Sequence, residues 1–323
     1  MPITIPNDLP AKNILEDERI FALEEDAAAR QDIRPLNVVL LNLMPKKIET
    51  ETQILRLISK SPLQVHVDFM HMGSHASKNT PADHLVKFYE TFDAFKDKKY
   101  DGLVITGAPI EHLAFEDVDY WPEMERVLDW SRENVFSTIH ICWGALAGLY
   151  HHYGVGKHPL PQKLFGIYPL QLCDEYQYLT NGFDEVFNMP QSRHAGANED
   201  ELARVGELEV LGRSDAAGSA LVVSHDMREI YVTGHFEYGK FTLRDEYERD
   251  VQAGKPIQLP YNYYPNDDPA REPLFTWRSH ANLFWRNWLN YVYQMTPFNP
   301  EQISAGYEGY RYSERIWHVG DHE

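Results

Sequence analysis

Cysteine is scarce in this sequence: 323 residues contain two, Cys142 and Cys173. Two thiols so far apart in the chain make neither a disulfide framework nor a zinc cluster, and they fit a reducing compartment. Basic charge is also short, with 30 Lys and Arg against 49 Asp and Glu and a formal net charge of −19. A field of that sign works against non-specific nucleic-acid binding, so an anionic substrate needs local cations or backbone N–H donors. No apolar run reaches the ~20 residues that span a bilayer, so no membrane partner is expected. The opening MPITIPNDLPAKNILEDERIF is acid-rich and lacks the apolar stretch of a secretory leader. Neither G-x-G-x-x-G nor a P-loop sequence occurs, so no dinucleotide or NTP cofactor is indicated, and no metal site is expected. These absences leave a protein of ordinary hydrophobic (43%) and charged (24%) content, expected to be cytoplasmic.

What is present is an alternation of strand and helix signals. Residues 37–43 (NVVLLNL) form an aliphatic run typical of a buried parallel strand. A helix is predicted over 50–59, a strand over 63–70, a helix over 82–92, a strand over 102–106 and a helix over 123–134. The next strand spans 137–141, with its helix from 143 onward. This order predicts an α/β fold with a parallel sheet flanked by helices. The second half carries extra strands, over 165–172, 208–212, 220–223 and 229–233, then a helix over 242–254 and a loop over 256–273. In the last helix, Ala281, Phe284, Trp285, Trp288, Leu289 and Val292 share one face, which is core packing. Residues 1–35 read as an N-terminal arm with a charged helical stretch over 22–31. Residues 36–297 read as a single domain and 298–323 as a tail.

The stretch STIHICWGALAGLYHHYG, residues 137–154, places Cys142 between a strand and a helix, at the sheet's carboxyl edge, where ligands of open α/β sheets bind. A side chain there faces the positive end of a helix, which favours thiolate, and Gly144 lets the turn be tight. The alternative is an inert, buried thiol at a helix start. A second element weighs against that alternative. Residues 230–237 (IYVTGHFE) form a hydrophobic strand that delivers His235 and Glu237, two apart and therefore on one face of an extended chain. A carboxylate beside an imidazole fixes its tautomer and stabilises its imidazolium, so Cys142, His235 and Glu237 have the makings of a catalytic triad. Cys173 has no such partner nearby and reads as structural.

The segments ICWGALAG, GHFEYG, VITGAPIEHL, LNLMPKKIETETQ and MPQSRH together resemble the homoserine O-acyltransferases of methionine biosynthesis. These are built on a flavodoxin-like fold of the class I glutamine amidotransferase type. The likeness runs from the first residues to about Thr296. In the amidotransferase form G-x-C-x-G, this chain has His140 in place of the first glycine, which counts against a plain glutaminase.

The resemblance implies that Cys142 is the acyl-accepting nucleophile, His235 the general base and Glu237 its supporting carboxylate. Lys163, Ser192 and Arg249 match substrate-contacting positions; without the resemblance they read as ordinary polar surface. Backbone N–H groups of Trp143 and of Gly107 and Ala108 are the expected oxyanion donors. The substrates implied are L-homoserine and an acyl-CoA, with acetyl-CoA as co-substrate and no cofactor, and the family implies a homodimer. Glu111, in GAPIEHL, matches a position linked to the choice of acyl donor. A glutamate there fills the space and repels the second carboxylate of succinyl-CoA, so acetyl transfer is expected; if Glu111 points to solvent it selects nothing. A succinyltransferase, a glutaminase or Cys hydrolase of the same fold, and a catalytically silent scaffold are the competing readings. For the CoA moiety, Lys46, Lys47 and Arg193 are candidate contacts.

Overall fold

In the computed structural model, residues 3–17, 22–25, 34–75, 79–174 and 177–304 are described, and twelve strands among them form one sheet. Its parallel half comprises β1 (Ile3–Ile5), β2 (Ala22–Glu24), β3 (Leu36–Leu41), β4 (Val65–Met70), β6 (Tyr100–Ile105), β7 (Val135–Ile141) and β12 (Glu229–Val232). They lie in the order β2-β1-β4-β3-β6-β7-β12, and the two-residue β5 (Tyr89–Glu90) joins β4. Beyond β12 the sheet continues antiparallel through β11 (Gly218–Ser224), β10 (Leu208–Ser214), β8 (Lys157–Leu172) and β9 (Val186–Ala197).

The parallel strands are aliphatic on both faces because both faces are covered. Val38 and Leu40 of β3 pack with Ile54 and Leu55 of the helix Lys47–Ile58 and with Trp285 and Trp288 of the helix Arg278–Met295. Val39 and Leu41 turn the other way, into a cluster with Met124, Val127 and Leu128 of the helix Trp121–Asn134 and with Ala147 of the helix Trp143–Tyr153. In chain order the α-helices among the described residues are labelled α1 (Ala11–Asp17), α2 (Lys47–Ile58), α3 (Ala82–Phe88), α4 (Trp121–Asn134), α5 (Trp143–Tyr153), α6 (Glu199–Leu202), α7 (Thr242–Gln252) and α8 (Arg278–Met295). The predicted stripe on α8 is buried throughout.

Some expectations are corrected. Ala22–Glu24 is a strand rather than the start of a helix, and the remainder of that stretch, from residue 26, lies outside the described residues. β1 pairs with β4, so the segment expected as an arm extends the sheet. The helix predicted over 82–92 stops at Phe88. Residues 305–323 of the expected tail also lie outside the described residues.

Candidate active site

Cys142 links β7 to α5 with φ 52° and ψ −114°, a left-handed backbone that a non-glycine residue rarely adopts. Such strain persists only where its surroundings enforce it, and it clusters at functional sites. Here the Cys142 N–H donates to Val232 O on β12 at 2.7 Å, and Leu146 N–H donates to Cys142 O at 3.1 Å. The start of α5 also presses against β6: a Cβ on Gly144 would sit 2.8 Å from Thr106 O, so only glycine fits. Gly107 lies directly over the thiol, where a Cβ would come within 3.1 Å of Cys142 Cβ.

His235 follows β12 in a turn, its N–H bonded to Pro190 O at 2.9 Å. Its Nδ1 is 2.6 Å from Glu237 Oε1, and the ring lines the same cavity as the Cys142 thiol. His235 and Glu237 meet because the chain turns there, with Tyr238 N–H reaching back to His235 O at 3.3 Å, and not through the alternation of an extended strand. The Tyr238 ring stacks on the imidazole, centroids 4.1 Å apart and planes 12° apart. Burial alone would lower the His235 pKa, but the charges of Glu237 and Cys142, with the hydrogen bond to Glu237, hold it well above its ordinary value. The ring is therefore disposed to carry a proton between a carboxylate and a sulfur.

Cys142, His235 and Tyr238 open onto a cavity of about 660 Å³. Gly107, Ala108, Glu111, Lys163, Ser192 and Arg249 line the same cavity, so nearly all the residues singled out in the sequence converge there. Glu237 lies behind His235, against a neighbouring groove. Trp143 has a fully buried side chain and opens α5 with its backbone N–H. Glu111 is half-buried at the cavity wall.

Sequence reasoning missed Glu246, on α7. Its carboxylate accepts from Lys163 Nζ at 2.6 Å and from Ser192 Oγ at 2.9 Å, with an Arg249 guanidinium nitrogen at 3.6 Å. Its only signal in the sequence is its place one turn before Arg249 on the same helix. Tyr238 was also missed, although it follows the triad residues directly in GHFEYG.

Two of the residues guessed for CoA face inward. Arg193 is buried and donates to Gln191 Oε1 and to the carbonyls of Ala195 and Ala217. Lys47 is buried too, donating to the carbonyls of Asn42 and Met44, and burial lowers its pKa to about 8. Lys46 is exposed at the cavity mouth. Cys173 is an exposed free thiol, and its backbone N–H bonds Leu211 O at 3.0 Å. Among the described residues one group has the donor set for a metal ion: His140, His152 and Glu229, with ligand atoms within 4.8 Å of one another. The His140 Nε2 to Glu229 Oε2 contact, at 2.6 Å, already joins two of the three as a hydrogen bond, which ties β7 to β12 behind the elbow.

A thiol on a strained strand–helix elbow, beside an imidazole–carboxylate pair from the turn after the adjacent strand, sits at the edge of a largely parallel α/β sheet. A glutamine amidotransferase of Thermotoga maritima shares that fold, with a TM-score of 0.54, 11% identity, and coverage of 80% of this chain and 99% of that one. The family model described as homoserine O-succinyltransferase matches residues 2–298, and the chain belongs to that family. A homoserine O-acetyltransferase of Bifidobacterium adolescentis is 59% identical over 304 residues, 94% of this chain and 88% of its own. One from Acetivibrio thermocellus is 52% identical over 304 residues, 94% and 100% of the two chains. One from Brevibacillus brevis is 55% identical over 300 residues, 93% and 98%.

Proposed function

We propose that this protein transfers the acetyl group of acetyl-CoA to the γ-hydroxyl of L-homoserine through a thioester on Cys142, a step of methionine biosynthesis. The observation that carries this reading is the meeting of Cys142, on a positive-φ elbow, with His235, itself bonded to Glu237, at one cavity. The names of the relatives support the donor and the acceptor.

The Cys142 thiolate attacks the thioester carbonyl carbon of acetyl-CoA. Backbone N–H groups of Trp143 and of Gly107 or Ala108 stabilise the oxyanion, each worth roughly 3 kcal/mol by analogy with other oxyanion holes. The C–S bond to CoA breaks, and the departing thiolate takes the proton from the His235 imidazolium. Neutral His235 next removes the γ-hydroxyl proton of homoserine as that oxygen attacks the Cys142 thioester; such base assistance is worth roughly 10²–10⁴-fold. The second tetrahedral species expels the Cys142 thiolate, releases O-acetylhomoserine and restores the starting pair.

Homoserine is a zwitterion with a small polar side chain, and the cavity wall offers both signs. Arg249 and Lys163 suit its carboxylate, and Glu246 its ammonium. Glu111 supports acetyl over succinyl, because its carboxylate lies on the wall where a succinyl carboxylate would come. The succinyl reading draws on the description of the family model.

Incubation with acetyl-CoA should add one acetyl group to the Cys142 peptide, visible by mass spectrometry, and L-homoserine should remove it. A glutaminase would instead release ammonia from glutamine and show no turnover dependent on homoserine. Undiminished turnover by Cys142→Ser or His235→Ala would end the reading.

A further inference from the structure

A second cavity, of about 400 Å³, lies beside the thiol's cavity along the carboxyl edge of the sheet. The two share Met44, Pro45, Ala108 and Pro109 as a common wall. Along the loop 107–113 the side chains divide: Glu111 and His112 line the thiol's cavity, Ile110 and Leu113 the second one. Lys157 holds this loop in place, its Nζ donating to Glu111 O at 2.9 Å and to Leu113 O. The loop is therefore a fastened partition.

The chemistry on its two sides differs. The thiol's cavity presents Lys163, Ser192, Glu246 and Arg249, polar and charged groups fit for an amino acid. The second presents an apolar stretch of wall, Leu43, Met44, Met72, Ile110, Leu113 and Val118, with Lys47, His71, His75, Asn79, Asp117 and Asp119 around it. Between its sulfur and its nucleotide, CoA is a narrow uncharged arm of methylenes, a gem-dimethyl group, a hydroxyl and two amides, which suits a wall that mixes apolar and polar groups.

Topology supplies the direction. β7, which ends at Cys142, neighbours β6, then β3, then β4, and the second cavity is lined from the loops that follow β3, β4 and β6. At about 4.8 Å between strands, the walk from β7 to β4 covers roughly 14 Å. An extended arm spans that distance and a compact amino acid does not.

We propose that the second cavity receives the pantetheine arm of the acyl-CoA donor, so that donor and acceptor reach Cys142 from opposite sides of the 107–113 partition. This rests on the acyl-CoA reading above. The test fills the passage with Leu113→Trp and, separately, Ile110→Trp. CoA binding is measured by calorimetry, and acetylation of Cys142 is followed with acetyl-CoA and with S-acetyl-N-acetylcysteamine, a thioester that keeps only the last atoms of the arm. The expected result is CoA binding weakened tenfold or more in both variants, with the short donor acetylating Cys142 at the wild-type rate. CoA binding unchanged in both variants overturns the proposal, as does an equal loss with the long and the short donor. A wild-type protein that binds no CoA and accepts no acetyl group removes the acyl-CoA reading itself and this inference with it, a result seen before any variant is made.

Discussion

Glu246 stands between Lys163 and Ser192, with the lysine Nζ 2.6 Å from its Oε1 and the serine Oγ 2.9 Å from its Oε2. Three separated segments, in β8, β9 and α7, are thus joined by one carboxylate on the wall of the thiol's cavity. Glu246→Gln keeps the shape and removes the charge. A hydrogen bond to a charged group contributes about 1.5–3 kcal/mol, so KM for homoserine should rise roughly 10–100-fold. Acetylation of Cys142 by acetyl-CoA, followed by mass spectrometry without homoserine, should keep its rate. An equal fall in that rate would mean that Glu246 serves the thiol and not the acceptor.

Glu111 shares that cavity wall, and its backbone carbonyl is held by Lys157. Glu111→Gly should therefore leave the partition in place while removing volume and a negative charge. Two like charges about 4 Å apart repel by about 1–4 kcal/mol between bulk water and a protein surface. Turnover with succinyl-CoA relative to acetyl-CoA should accordingly rise at least about fivefold. Steady-state assays with the two donors decide it; an unchanged ratio would show that Glu111 does not select the acyl group.

His152 predicts an acid-sensitive fold. Burial, partly offset by the charge of Glu229, lowers its pKa from 6.5 to about 3, while His140, Arg132 and His151 push it further down. The folded protein keeps the ring neutral where the unfolded chain protonates it. Stability from this group is thus fully present above about pH 6.5 and falls by about 1.4 kcal/mol per pH unit as pH drops toward 3. His152→Gln removes the titration and keeps a polar tip. Urea unfolding between about pH 6 and 4 should show a flatter acid limb for the variant; parallel limbs would refute the assignment.

Gly144 carries a steric prediction. A methyl group there meets Thr106 O at 2.8 Å and Ile105 O at 3.1 Å, backbone atoms of the strand end and loop beneath the elbow. Gly144→Ala should destabilise the fold by about 1–3 kcal/mol, read from denaturant midpoints at constant slope. It should also slow acetylation of Cys142, because α5 can relieve the clash only by moving the elbow.

The parallel half of the sheet was legible because runs such as NVVLLNL have few other uses, and because a cysteine between such a run and a glycine-bearing helix points to an elbow. The antiparallel half was harder. β8 contains Pro159, Pro161 and Pro169, which argue against a strand, and its pairing with β9 is irregular between Pro159 and Leu164. β9 holds Gln191 and Arg193, both buried, with Arg193 donating to Gln191 Oε1 and to the Ala195 and Ala217 carbonyls, acceptors that the sequence does not display. Glu246 was missed because its partner Lys163 lies 83 residues away. Arg193 turns inward for a related reason: sequence gives the sign of a charge but not the carbonyl that captures it.

Ile141 and Val232 are direct partners in the β7–β12 ladder, and the next link is the Cys142 N–H to Val232 O. The spacing of sulfur and imidazole is thereby a property of the main chain, insulated from whatever surrounds it. The side chains at 111, 163, 192 and 246 hang on other segments. Altering any of those four should change what the cavity accepts while leaving the sulfur and the imidazole where the ladder holds them.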